Sequence, residues 1–215
     1  MAQIVPAILE KTKEDFREKE SRVVKLPGVE RIQVDFGDGE FVPNKMLPVT
    51  EIEPLNPAFH WEAHLMTSEP QDFLDYQIAG FKTVIVHYEA YKDKDDLNKA
   101  LYNIKSLGLK NGVALNPDTP VSVLVDFKQV DEYLMMGVVP GYQGQAFLEP
   151  TNDRVRELRR LIPQALIEVD GGVNLENIKQ VAQAGTDLII VGSALVKAPD
   201  ILEAYEKLTA EINII

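Results

Sequence analysis

The chain has 215 residues, 45% hydrophobic and 26% charged, which fits a globular protein with a sizeable core and excludes general disorder. A formal net charge of −12 opposes nucleic-acid phosphates and anionic lipid surfaces, so neither nucleic acid nor a membrane is an expected partner. The absence of cysteine excludes disulfides, thiolate metal sites and cysteine nucleophiles together. The N-terminal MAQIVPAIL lacks the basic region of a secretory signal, and apolar runs such as Leu188–Val191 are too short to span a bilayer, so a cytoplasmic protein is expected.

Short β-type runs alternate with longer amphipathic ones. A strand over 3–9 leads to a helix over 12–26, where Thr12 and Asp15 have the spacing of a capping box. A second strand, 31–36, precedes a weak helical segment at 48–55 that Pro48 and Pro54 interrupt. Strand 58–66 is followed by helix 71–79, strand 83–87 by helix 95–107, and strand 112–115 by a weak helical segment at 121–128. Strand 132–136 then precedes helix 151–161, strand 165–169 precedes helix 175–184, and strand 188–191 precedes helix 199–212. The strands are apolar and bounded by Gly, Pro, Asn or Asp, as strands buried on both faces are. Asn174 is an N-cap candidate, and Gly108 and Gly185 stand where a left-handed residue closes a helix.

Strand–helix alternation implies parallel pairing with right-handed crossovers. Eight such units predict an α/β fold, a single-domain (β/α)8 barrel over residues 1–215. The rival, a doubly wound open sheet, calls for a glycine-rich loop after the first strand, where PAILEKT stands instead.

Reactive groups of a barrel sit at the C-terminal ends of its strands. Side chains alternate along a strand, so Gln33 and Asp35 share a face in IQVDFGDG, as do Glu62, His64 and Met66 in HWEAHLM, and Glu168 and Asp170 in IEVDGG. Singly, each has an ordinary reading: Asp35 or Asp170 as a turn residue, His64 as a hydrogen-bonded structural histidine, Met66 and Met136 as packing, Glu168 as an inward polar residue. Convergence from three strands is different, because several buried ionisable groups need one another, a metal or a ligand. The glycine-bearing loops VVPGYQGQAF, DGGVN and VGSALV add a backbone-lined anion site, the loops after strands seven and eight being frequent phosphate sites in barrels.

These residues resemble the ribulose-phosphate 3-epimerase family over nearly the whole chain. The motifs that carry the likeness are PAIL at 6–9, VDFGDGEFVPN at 34–44, HLM at 64–66, VHYEA at 86–90, ALNPDTP at 114–120, MGVVPGYQGQAF at 136–147, EVDGGVN at 168–174 and VGSAL at 191–195. The resemblance implies an isomerase of carbohydrate metabolism, in the pentose phosphate pathway, that interconverts D-ribulose 5-phosphate and D-xylulose 5-phosphate through an enediolate. Asp35 and Asp170 would be the acid–base pair. A divalent metal ion (zinc, manganese, iron or cobalt) would be held by Asp35, His64 and Asp170, with Gln33 at the fourth position. His64, Met66, Met136, Gly141, Gly144, Gln145, Gly171, Gly172, Gly192 and Ser193 would contact the phosphorylated ketose. Relatives are commonly homo-oligomers, which is the expected state here.

The chain also departs from the family pattern. Gln33 stands where the family has a histidine ligand, which implies a weak or absent metal site, with Glu62 as a substitute ligand on the same face as His64. Gly37 replaces a methionine, Ala7 a serine, and Gln143 a glycine. Two alternatives follow from these changes: epimerisation of another ketose phosphate, and a non-catalytic phosphosugar-binding relative.

Overall fold

Eight parallel strands close in sequence order into a barrel: β1 (Gln3–Ile8), β2 (Arg31–Gly37), β3 (His60–Met66), β4 (Thr83–His87), β5 (Lys110–Leu115), β6 (Glu132–Met136), β7 (Leu166–Asp170) and β8 (Leu188–Val191). The last strand returns to the first through the register Gln3↔Leu188 to Pro6↔Val191. The structure, a computed structural model, describes residues 2–127, 129–142 and 144–213. No helix among them is long and apolar enough to cross a membrane. The expected (β/α)8 barrel is the fold.

Around the barrel run α1 (Lys13–Val23), α2 (Leu74–Ala79), α3 (Lys94–Ser106), α4 (Pro150–Leu161), α5 (Ile178–Gln183), α6 (Ser193–Val196) and α7 (Ile201–Asn213). The two weak helical segments are single 3-10 stretches, Val49–Glu51 after β2 and Val121–Asp126 after β5. Thr12 caps α1, accepting the Asp15 N–H at 3.1 Å and donating its hydroxyl to the Asp15 carboxylate at 2.7 Å. Gly108 and Gly185 take left-handed φ of 77° and 104° after α3 and α5.

Three helix starts fall later than the sequence pattern suggests, each for a local side-chain reason. Asp72 turns the chain by accepting the Leu74 N–H, so α2 starts at 74 rather than 71. Asn174 accepts the Glu176 N–H and caps a turn, and α5 begins only at Ile178. Asp200 accepts the amides of Leu202 and Glu203, so the last helix starts after Pro199, and the short α6 precedes it. An Asp or Asn oxygen that satisfies amides one turn ahead fixes where a helix can begin.

Outward-facing strand residues such as Ile32, Val34, Trp61 and Leu65 pack with the helices into the main core. The interior is filled differently. Ile85, Ala114, Leu134, Met136 and Val138 form one small apolar cluster. Val5, Ala7, Leu188 and Ile190 form another. Polar side chains from β2, β3, β6 and β7 stack in two tiers.

The lower tier is a charged floor. The Arg31 guanidinium, at the start of β2, donates from Nη1 to Glu62 (2.7 Å), Glu132 (2.8 Å) and Glu168 (3.0 Å), and from Nη2 to Glu132 (2.8 Å). All three glutamates are fully buried. Burial pushes Glu62 up to about 8, reinforced by the Glu132 charge and opposed by Arg31. Burial likewise holds Glu168 well above the usual carboxylate range, with Glu62 and Glu132 adding to it. Glu132 goes the other way: burial disfavours its charge, but the Arg31 hydrogen bonds prevail and lower it. Burial thus favours the protonated form of Glu62 and Glu168 while Arg31 favours the ionised form of Glu132, which is how three carboxyl groups share a dry interior.

Candidate active site

The upper tier opens at the C-terminal mouth. The β2–β3 register sets Asp35 beside His64, and β7 brings Asp170 across from them. His64 Nδ1 lies 2.9 Å from Asp35 Oδ1 and 3.3 Å from Asp170 Oδ2. Gln33 Nε2 donates to the same two oxygens at 2.7 and 2.9 Å. One imidazole nitrogen and one amide thus join two carboxylates from strands that are not neighbours. Gln33 was expected to share a strand face with Asp35, and Glu62 to serve as a substitute ligand beside His64. Asp35 is a partner, Asp170 is the other, and Glu62 points down to Arg31, where it is not available as a substitute metal ligand.

The electrostatics follow from burial and proximity. Burial raises Asp35, the Asp170 charge raises it further, and His64 and Gln33 oppose both. Burial disfavours charge on His64, but hydrogen bonds to Asp170 and Asp35 prevail and push it up to about 9. A carboxylate pair this close favours any cation that reaches it.

One ligand atom each from Asp35, His64 and Asp170 lies within 4.8 Å of the others, and this donor set of two carboxylates and an imidazole suits a divalent ion. Gln33 Oε1 is buried without a hydrogen-bond partner among the described residues, so a rotation of its amide offers a fourth oxygen. The residues present fit the group.

Above this tier lies a cleft bordered by Ala7, Asp35, Met66, Met136, Gly141, Gly144, Gln145, Asp170, Gly171, Gly172, Gly192 and Ser193. Every sequence-predicted substrate residue is therefore at the cleft except His64, which is fully buried beneath the aspartates. Gln145 braces the loop after β6, donating from Nε2 to Val139 O (2.6 Å) and Tyr142 O (3.1 Å). Gly171 and Gly172 have positive φ, and a Cβ on Gly172 would meet the Phe147 backbone at 2.6 Å, so only glycine fits this loop. Gln143 lies outside the described residues.

Gly37 has a structural reason. A Cβ there would sit 2.7 Å from Asn44 O and 2.9 Å from Val42 Cγ2, because the loop after β2 folds back onto it, with Met46 N–H donating to Gly37 O at 2.9 Å. Introducing the family's methionine as Gly37→Met should therefore lower stability by about 1–3 kcal/mol through overpacking. Urea unfolding measures it, and an unchanged midpoint would show that this loop yields freely.

Among the inward residues that the sequence pattern does not single out are His87, Arg31 and Glu132. His87 ends β4 with Thr83 and Ile85 on the same face, and the parity argument used for β2, β3 and β7 applies to it equally. Arg31 shares the face of Gln33 and Asp35 but was read only as the start of a strand.

The comparisons with known proteins agree with this geometry. Residues 3–196 match the model of the ribulose-phosphate 3 epimerase family. The Bacillus subtilis (strain 168) protein named ribulose-phosphate 3-epimerase is 34% identical over 219 residues, covering 97% of this chain and 98% of the relative. The chloroplastic ribulose-5-phosphate-3-epimerase of Arabidopsis thaliana is 37% identical over 197 residues, 88% of this chain and 70% of the relative. Among solved structures, 3-hexulose-6-phosphate synthase from Salmonella typhimurium superposes with a TM-score of 0.74 at 18% identity over 99% of both chains, a likeness of fold alone. The chain belongs to the ribulose-phosphate 3-epimerase family.

Proposed function

We propose that the protein is a pentulose-phosphate 3-epimerase, interconverting D-ribulose 5-phosphate and D-xylulose 5-phosphate. The observation that supports this most is the pair Asp35 and Asp170, delivered by separate strands to one cleft and joined through His64 and Gln33. The C3 proton of a ketose is acidified by its C2 carbonyl. One aspartate removes that proton, the carbon becomes planar in an enediolate, and the other aspartate returns a proton to the opposite face. The direction of reaction decides which is base and which is acid. The raised Asp35 suits this role, since a base with a higher proton affinity is a better acceptor. The substrate phosphate would rest on the backbone amides around Gly144, Gly171, Gly172, Gly192 and Ser193, which border the same cleft.

Asp35, His64 and Asp170 would hold a divalent ion, with Gln33 Oε1 as fourth donor, and such an ion would stabilise negative charge developing on the substrate oxygens. Gln33 makes that site weaker: in place of an imidazole nitrogen it offers a neutral oxygen, and its N–H group occupies the lone pairs of both aspartates. Gln33→His should tighten Co²⁺ binding by about 10–100-fold, the scale on which single groups around metal sites act. Absorbance titration with Co²⁺ reads this without turnover, and equal affinity in the two proteins would refute this role for Gln33.

Ribulose 5-phosphate supplied with the parent protein and a divalent ion should yield xylulose 5-phosphate, with solvent deuterium incorporated at C3. Exchange confined to a hexulose phosphate would favour another ketose phosphate as substrate, a reading that the apolar Ala7 at the cleft wall keeps in view. Thermal stabilisation by phosphosugars without any exchange would favour the non-catalytic relative.

A further inference from the structure

His64 is held from behind as well as from the front. Its Nε2 lies 2.9 Å from Nε2 of His87, which is fully buried. The two rings are inclined by 28° with centroids 5.1 Å apart, and the Phe41 ring packs against His87 at 4.8 Å. The other His87 nitrogen, Nδ1, lies 3.3 Å from Glu89 Oε2. Glu89 Oε1 in turn accepts the Asn116 N–H at 2.8 Å and the Thr119 hydroxyl. Arg154 clamps that same loop, donating to Asn116 O at 2.8 Å and Thr119 O at 3.0 Å. A rigid loop thus anchors one carboxylate oxygen and leaves the other for His87.

For a neutral His87, one proton arrangement satisfies both of its contacts. A carboxylate accepts, so His87 Nδ1 carries the proton that Glu89 Oε2 receives. A neutral His87 then has a lone pair at Nε2, so His64 Nε2 must donate there. The remaining nitrogen of His64, Nδ1, is the one that faces Asp35 and Asp170. We propose that Glu89 and His87 are positioning residues: a carboxylate–imidazole–imidazole relay that pins the Nε2 proton of His64 and so reserves Nδ1 for the two aspartates or a divalent ion between them. The role rests on the reading of Asp35, His64 and Asp170 as the active site. Direct carboxylate support of a ligand histidine is a common device; here a second histidine is interposed, which moves the carboxylate outward to the loop after β4.

Glu89→Gln tests the relay because it should reverse it. The two donors at Oε1 will keep the glutamine carbonyl in place, which puts the amide N–H group against His87 Nδ1. His87 must then accept at Nδ1 and donate from Nε2, His64 Nε2 becomes an acceptor, and His64 can carry a proton only at Nδ1. With three histidines in the chain, imidazole ¹⁵N shifts resolve each ring. The expected results are an Nδ1 proton on His87 in the parent and in Glu89→Asp, its transfer to Nε2 in Glu89→Gln, and Co²⁺ affinity about 10–100-fold weaker in Glu89→Gln. A merely structural glutamate would leave the tautomer where it was.

The proposal is overturned if parental His87 carries its proton on Nε2, a result that needs no variant to fold. Unchanged tautomer and unchanged Co²⁺ affinity in Glu89→Gln would also overturn it, as would a parent that binds no Co²⁺. Failure of the parent to turn over ribulose 5-phosphate, with these shifts and affinities as expected, would refute the epimerase reading and leave the relay standing.

Discussion

Asp35→Asn and Asp170→Asn should each lower epimerase turnover by about 10²–10⁴-fold, the contribution a positioned acid or base typically makes. Asparagine keeps the shape of the side chain, and its carbonyl oxygen can still accept from Gln33 and His64, so the barrel should remain folded. What it loses is the ability to take a proton from carbon. Epimerisation needs a group on each face of the planar intermediate, and the two carboxylates come from β2 and β7, so neither can cover for the other. Stopped assays on proteins shown to be folded by circular dichroism decide the matter. Near-parental turnover in either variant would eliminate the two-aspartate mechanism.

Arg31→Met should cost about 3–5 kcal/mol of stability at neutral pH, the usual consequence of stranding a buried charge. Among the described residues the guanidinium is the one cation hydrogen-bonded to Glu62, Glu132 and Glu168, and it is the main cause that lowers Glu132, with the Lys110 ammonium 3.7 Å away adding to it. The sign with pH follows. In the parent the depressed Glu132 contributes stability above the ordinary carboxylate value of 4.5, which is lost as pH falls through its lowered value. In the variant, burial with only the half-exposed Lys110 ammonium left nearby raises the same group, so its contribution is present below 4.5 and lost as pH rises. The gap between parent and variant should therefore widen from acid to neutral pH. Urea unfolding at pH 4 and pH 7 measures it, and an equal or absent loss at both would mean that Glu132 is not held ionised by Arg31.

The barrel was legible in the chain because strands buried on both faces are mostly apolar along their length, and β8 reads that way residue by residue. Asp35, His64 and Asp170 were legible by the same economy: a period of two sends alternate side chains inward, and a charged residue on an inward position stands out. Three helix starts were not, because Asp72, Asn174 and Asp200 each hold amides ahead of them in turns that the geometry of the preceding loop settles. Closure of the barrel decided the rest. Gln33 and Asp170 are 137 residues apart, as are Arg31 and Glu168, and no local pattern encodes a hydrogen bond across that distance. Gly37 reads as a lost methionine in the chain and as a packing requirement in the fold, since only the returning loop at Val42 and Asn44 fills the space a side chain would need. Sequence period determines which way a side chain points, but what it meets there depends on which strands the closed sheet brings opposite.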